Sequence, residues 1–149
     1  MKILPVNPTE NVTSESLAAF LKQCRVHARE AGRPQLVSIS LEVDQLDPLA
    51  VLESIFEPAE LHFYVERPAQ GFAVAGAEAV LEFTATGPDR FAAAREFVSQ
   101  TLAGTIAVGP IDVPFAGPHF FLACTFADEA GVGASFPALR LFVPPACRQ

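Results

Sequence analysis

Positive charge is scarce in this sequence: of its 149 residues only 10 are Lys or Arg, against 17 Asp or Glu. The formal net charge is −7 at pH 7. A chain this acidic repels phosphate backbones and the anionic head groups of lipids. On charge alone we therefore expect neither nucleic acids nor membrane surfaces among its partners.

Long apolar runs are also missing. The least charged stretch, Val113–Ala127, is shorter than the roughly 20 apolar residues of a transmembrane helix, and prolines and a glycine interrupt it. The start of the chain, Met1–Pro5, lacks the apolar core of a secretory signal peptide. We therefore expect a cytoplasmic location.

Cysteine and the aromatic residues that carry polar groups are few. The sequence has no Trp, one Tyr and three cysteines, Cys24, Cys124 and Cys147, without a Cys-x-x-Cys spacing. This pattern predicts reduced thiols, two of them buried, rather than a disulfide framework. Thirteen Phe and a hydrophobic fraction of 50% supply enough apolar material for a sizeable core.

The length predicts a single domain over residues 1–149. Residues 1–12 are polar and contain two prolines, and they are read as a lead-in of uncertain order. Capping residues, prolines in first turns and apolar residues at helical spacing predict three helices. The helices run from Thr13 or Ser14 to Gly32, from Asp47 to Pro58 and from Gly87 to Gly104.

Short apolar or alternating segments predict the strands. The clearest is Leu36–Asp44, whose odd-numbered residues from Val37 to Val43 are apolar and are expected on a buried face. Turns of about four residues favour antiparallel neighbours. The sequence therefore predicts an α+β fold, a largely antiparallel sheet with about three helices packed on one face. The further strands are predicted over Leu61–Glu66, Phe72–Ala75, Ala79–Thr84, Phe120–Phe126 and Leu139–Val143, and residues 104–118 are expected to form a loop or an irregular edge strand.

Two glycine pairs resemble nucleotide-binding loops at first sight. Gly71 and Gly76 have the spacing that begins a phosphate-binding loop, but an Ala and the acidic Glu78 stand where Lys and Ser or Thr are required. Gly131 and Gly133 do not lie between a strand and a helix, as a dinucleotide site requires. Neither pair is expected to bind a nucleotide, and Gly71 and Gly76 are expected to serve a turn and a bulge.

The residues that could bind a metal or act as acid and base are also better explained without a site. His62, His119 and Cys124 are expected on strands, and nothing in their spacing makes three or four zinc ligands converge. Glu53 and Glu57 are four residues apart on a predicted short helix. Paired carboxylates can bind magnesium or act as acid and base, but we expect these two to be exposed to water instead.

A nucleophilic site is not indicated either. No serine lies in a Gly-x-Ser-x-Gly turn, and Cys24 is expected on a buried helix stripe where burial makes a thiol unreactive. From the residues themselves we expect no catalytic, cofactor-binding or metal-binding residue in this chain.

The order of several short motifs resembles the N-terminal region of isochorismate synthases and their chorismate-using relatives. Each motif is weak alone, but together they span about residues 36–145. The similar segments are Asp47-Pro48-Leu49 at a helix start, Phe63–Pro68 followed by Gly71 and Gly76, Thr86–Phe91, Gly117–Phe121, and Ser135–Pro144.

The resemblance implies a magnesium-dependent isomerase that converts chorismate to isochorismate for menaquinone or siderophore synthesis. In that family a Lys base, a Glu acid and the magnesium ligands lie in a C-terminal region. The two lysines here, Lys2 and Lys22, match no such segment. The resemblance thus implies a non-catalytic N-terminal portion whose partner is the C-terminal chorismate-binding region, and magnesium is expected only in the full-length enzyme.

Two alternatives stay open. Val51–Ser54 is superficially similar to the amino-acid feedback segment of the large subunits of anthranilate and aminodeoxychorismate synthases, although here it falls inside a predicted helix. The chain is otherwise a stand-alone binding or scaffold module without catalysis, so whether it belongs to an enzyme is left open. If the chain is a separated piece of the larger enzyme, the apolar surface on which its partner region packed is expected to be exposed and to favour self-association.

Overall fold

A computed structural model describes residues 2–3, 14–41, 46–55, 57–109 and 116–148 of the chain. These residues fall into two compact units. We call Met1–Glu42 with Val98–Pro118 the parallel-sheet unit, and Val43–Phe97 with His119–Gln149 the two-sheet unit. The prediction of one domain over residues 1–149 stays a prediction.

The three predicted helices are confirmed: α1 spans Ser14–Glu30, α2 spans Pro48–Ile55 and α3 spans Arg90–Gly104. The start of α2 shows why. Oδ1 of Asp47 accepts the N–H of Leu49 at 2.9 Å, and Pro48 occupies the first turn, where its missing N–H costs nothing. None of the described helices has the length and apolar character to cross a membrane.

The described residues form nine strands, several of them shorter than predicted. In place of the nine-residue strand expected from Leu36, the structure shows three residues, and residues 42–45 lie outside those described. The strands are β1 (Lys2–Ile3), β2 (Val37–Ile39), β3 (His62–Arg67), β4 (Phe72–Ala77), β5 (Leu81–Ala85), β6 (Ile106–Val108), β7 (Phe121–Cys124), β8 (Leu139–Val143) and β9 (Ala146–Arg148).

The parallel-sheet unit is built on a sheet with the order β1-β6-β2, in which both pairings are parallel. Phe20 and Cys24 of α1 pack on Ile106 and Val108 of β6. The side chains from β2 are less covered than the alternation predicted, because Val37 is half-buried and Ile39 is exposed. The expectation of a fully buried face on this strand was therefore wrong.

A close backbone approach ties β2 to the end of β6. The N–H of Ser40 donates to the carbonyl of Val108 at 2.9 Å, and Ser40 Oγ accepts the N–H of Gly117 at 3.1 Å. Gly109 has a φ of +105°, and a Cβ there would overlap the carbonyl of Ser40. Only glycine fits this position, because it alone has both the backbone freedom and the missing side chain.

The two-sheet unit contains two antiparallel sheets, ordered β3-β4-β9 and β5-β8-β7. One face of β4 packs on α2, where Leu52 meets Ala75 and Ala77. The other face turns Val74 toward Phe121 and Phe142 of the second sheet. Alternation along β4 thus serves two cores, as the two-residue period of a strand requires.

Glycine in β4 has a packing role that the sequence did not predict. The pairing of β3 with β4 is continuous, with Gly76 opposite Phe63 and Ala77 opposite His62, so the bulge expected at Gly76 is absent. A Cβ on Gly76 would lie 2.7 Å from Cγ of Pro144. The glycine therefore makes room for the proline that follows β8.

These elements confirm the predicted α+β class, with three helices and antiparallel sheets. The parallel sheet was not predicted. The antiparallel prediction rested on the lengths of turns between neighbouring segments. The parallel sheet pairs segments that are far apart in the sequence, so turn lengths do not predict it.

Candidate functional site

The glycine pairs that were considered as nucleotide-binding loops lie where such loops do not occur. Gly71 has a left-handed backbone, with a φ of +59°, and ends the short 3-10 turn Pro68–Gln70 between two strands. Gly131 and Gly133 lie in the exposed connection from β7 to β8. Neither pair opens a helix, so neither presents helical N–H groups to a phosphate.

The histidines and the exposed cysteine do not converge. His27 contacts Glu30 on α1 at 3.6 Å, whereas His62 is exposed at the start of β3. His119 precedes β7, and Cys124 ends that strand. Within the described part of the chain, no three His, Cys, Asp or Glu residues are grouped so that they could hold a metal ion.

The described carboxylates near α2 form no group that could hold a metal ion. Glu53 is exposed on α2, but Glu57 lies beyond its last residue, Ile55, so the predicted helical i,i+4 pair was wrong. Glu66 accepts a hydrogen bond from the hydroxyl of Tyr64 at 3.1 Å. Since magnesium requires several oxygen ligands at one point, the described residues do not fit a magnesium site.

Among the described residues, Cys24 and Tyr64 have displaced pKa values. Burial raises the pKa of the Cys24 thiol, and a backbone hydrogen bond opposes the rise in part. Desolvation also raises the pKa of the Tyr64 hydroxyl, together with its hydrogen bond to the Glu66 carboxylate and the nearby charges of Glu66 and Asp47. Both shifts favour the neutral form, so neither group is activated as a nucleophile or base at neutral pH.

Sequence reasoning overlooked two arginines of the two-sheet unit. Among the lysines and arginines whose side chains the structure describes, Arg90 and Arg140 alone are not exposed. Each guanidinium lies over a phenylalanine ring, Arg90 at 4.6 Å from the centre of Phe91 and Arg140 at 5.5 Å from the centre of Phe136. Such a cation–π contact holds a guanidinium in a fixed orientation.

Arg90 is 7% exposed and fastens a loop to the start of α3. It donates to the carbonyl of Gly87 at 3.1 Å and, more weakly, to that of Phe126 at 3.5 Å. The N–H of Gly87 donates to the carbonyl of Asp128 at 2.6 Å. We call this set of contacts the Arg90 clasp. It positions the beginning of the connection between β7 and β8.

Arg140 is the more accessible of the two cations. Its Nε lies 2.9 Å from Oε1 of Glu82 on the neighbouring β5, and their side chains are 29% and 41% exposed. The N–H does not point at that oxygen, so the contact is an ion pair without a hydrogen bond. By register Arg140 also lies beside Thr84 and Ala123.

A guanidinium is suited to binding carboxylates, because its donors match their two oxygens. Arg140 could present such donors to a small acid, whereas Arg90 is enclosed and acts on its own loop. The signal in the sequence was the placement of Arg140 within the apolar run Leu139–Val143. The two-residue alternation of a strand predicts on which face of the sheet Arg140 lies. It does not predict how deeply that face is buried.

Comparison with known proteins adds one finding. A sequence model of the family described as chorismate binding enzyme matches residues 19–147. No curated protein and no solved structure matches the chain. The match covers most of both units, including every described helix and strand except β1 and the start of α1 and end of β9.

Proposed function

Because the chain belongs to the chorismate binding enzyme family, we propose that it is the N-terminal, non-catalytic portion of an isochorismate synthase-like enzyme. The family match over residues 19–147 supports a chorismate-using parent enzyme, and the ordered motifs that resemble isochorismate synthases are the support for the finer assignment. In this view the parent enzyme converts chorismate to isochorismate for menaquinone or siderophore synthesis, and the present portion is inactive alone. Magnesium and the catalytic residues then belong to a separate C-terminal chorismate-binding region.

The segments that resemble isochorismate synthases support a scaffolding role. Phe63–Pro68 covers most of β3 and its exit, and the Phe63 ring lies tilted against that of Phe121, 4.0 Å between ring centres. Thr86–Phe91 leads into α3, and Ser135–Pro144 contains β8, the central strand of its sheet. These residues are engaged in packing and pairing rather than in presenting reactive groups.

The distribution of possible acids and bases also supports this role. Lys22 is exposed on α1, where water solvates its ammonium group. Glu82 forms an ion pair with Arg140, so its carboxylate is engaged within the protein. Neither observation indicates a general base at Lys22 or a general acid at Glu82.

The test is an isochorismate synthase assay of the purified chain with chorismate and magnesium. We expect no isochorismate above the rate without protein. Turnover that scales with protein concentration and disappears when EDTA removes magnesium would overturn the proposal. A calorimetric titration with chorismate, run on the same sample, separates loss of binding from loss of chemistry.

Two other functions are distinguished by the same samples. In a feedback subunit of anthranilate or aminodeoxychorismate synthase, tryptophan binds saturably. Leu52 belongs to the segment that is similar to a feedback site and lies in the middle of α2. Its side chain packs on Ala75 and Ala77 of β4, so it is not available to bind a feedback amino acid. A stand-alone scaffold module binds neither chorismate nor tryptophan, and its gene ends without a catalytic region.

A further inference from the structure

We draw no further inference here: the strongest candidate, the half-buried guanidinium of Arg140 on β8, belongs to the candidate site already described and has its partner there in the Glu82 carboxylate, 2.9 Å from Nε.

Discussion

The two units of this chain reach stability by different means. In the parallel-sheet unit a small core of Phe20, Cys24, Ile106 and Val108 is accompanied by a close backbone approach at Gly109. In the two-sheet unit aromatic rings connect two sheets, and Phe121 lies 4.0 Å from Phe63 and 5.7 Å from Phe142 between ring centres. The parallel-sheet unit thus has a small core and a close backbone approach, whereas the two-sheet unit has aromatic rings shared between its sheets.

The same contrast holds for the charged residues. Arg90 and Arg140, the two arginines held over aromatic rings, belong to the two-sheet unit, and Arg140 forms an ion pair with Glu82. The parallel-sheet unit shows one ion pair among its described residues, the exposed contact of His27 with Glu30 on α1. The arginines that contact aromatic rings therefore lie in the unit with the aromatic core.

The largest effect is expected from Phe121→Ala, which removes the ring shared by both sheets. Loss of a buried phenylalanine costs about 3–5 kcal/mol in the free energy of unfolding, through lost burial and the cavity left behind. Urea denaturation followed by the fluorescence of Tyr64, the single tyrosine, reports on this unit. Phe126→Ala is the control and should change stability by less than about 0.5 kcal/mol, because that ring is fully exposed.

Gly109→Ala tests the parallel-sheet unit. The added Cβ would strain a positive φ and overlap the Ser40 carbonyl, at a cost of about 3 kcal/mol. Hydrogen exchange in α1 measures the loss, and Tyr64 fluorescence shows whether the two-sheet unit is affected. Gly131→Ala is the control, since a Cβ there meets nothing within 4 Å. An equal loss of stability in both readouts would show that the two units unfold together, which would contradict their independent stability.

Arg90→Met should have the smallest effect. The substitution keeps an unbranched apolar side chain but removes the donors to the carbonyls of Gly87 and Phe126, at a cost of about 1–2 kcal/mol in the free energy of unfolding. The Gly87 amide, which donates to Asp128, should then exchange faster. Arg95→Met, at an exposed position of α3, should leave that amide unchanged. An unaltered Gly87 amide in Arg90→Met would mean that the loop is held without the arginine.

Much of the local structure is determined by the sequence itself. Asp47 and Pro48 mark the start of α2 because a carboxylate and a proline each solve the problem of unpaired N–H groups at a helix start. The predicted burial of Cys24 on α1 is confirmed, because Cys24 packs with Phe20 in the core of the parallel-sheet unit. The turn at Gly71 followed from its backbone freedom. Each of these predictions depends on residues within one or two turns of the chain.

Other features were decided only by tertiary structure. The parallel pairing of β2 with β6, the exposure of Ile39 and the continuous strand through Gly76 all depend on segments distant in the sequence. The candidate site followed the same rule, because Arg90 and Arg140 differ from the exposed arginines only in what packs around them. Local physics fixed the ends of the helices and the alternation of the strands. Contacts between distant segments decide which strand another strand pairs with and which arginine is buried. These contacts exist only once the chain has folded.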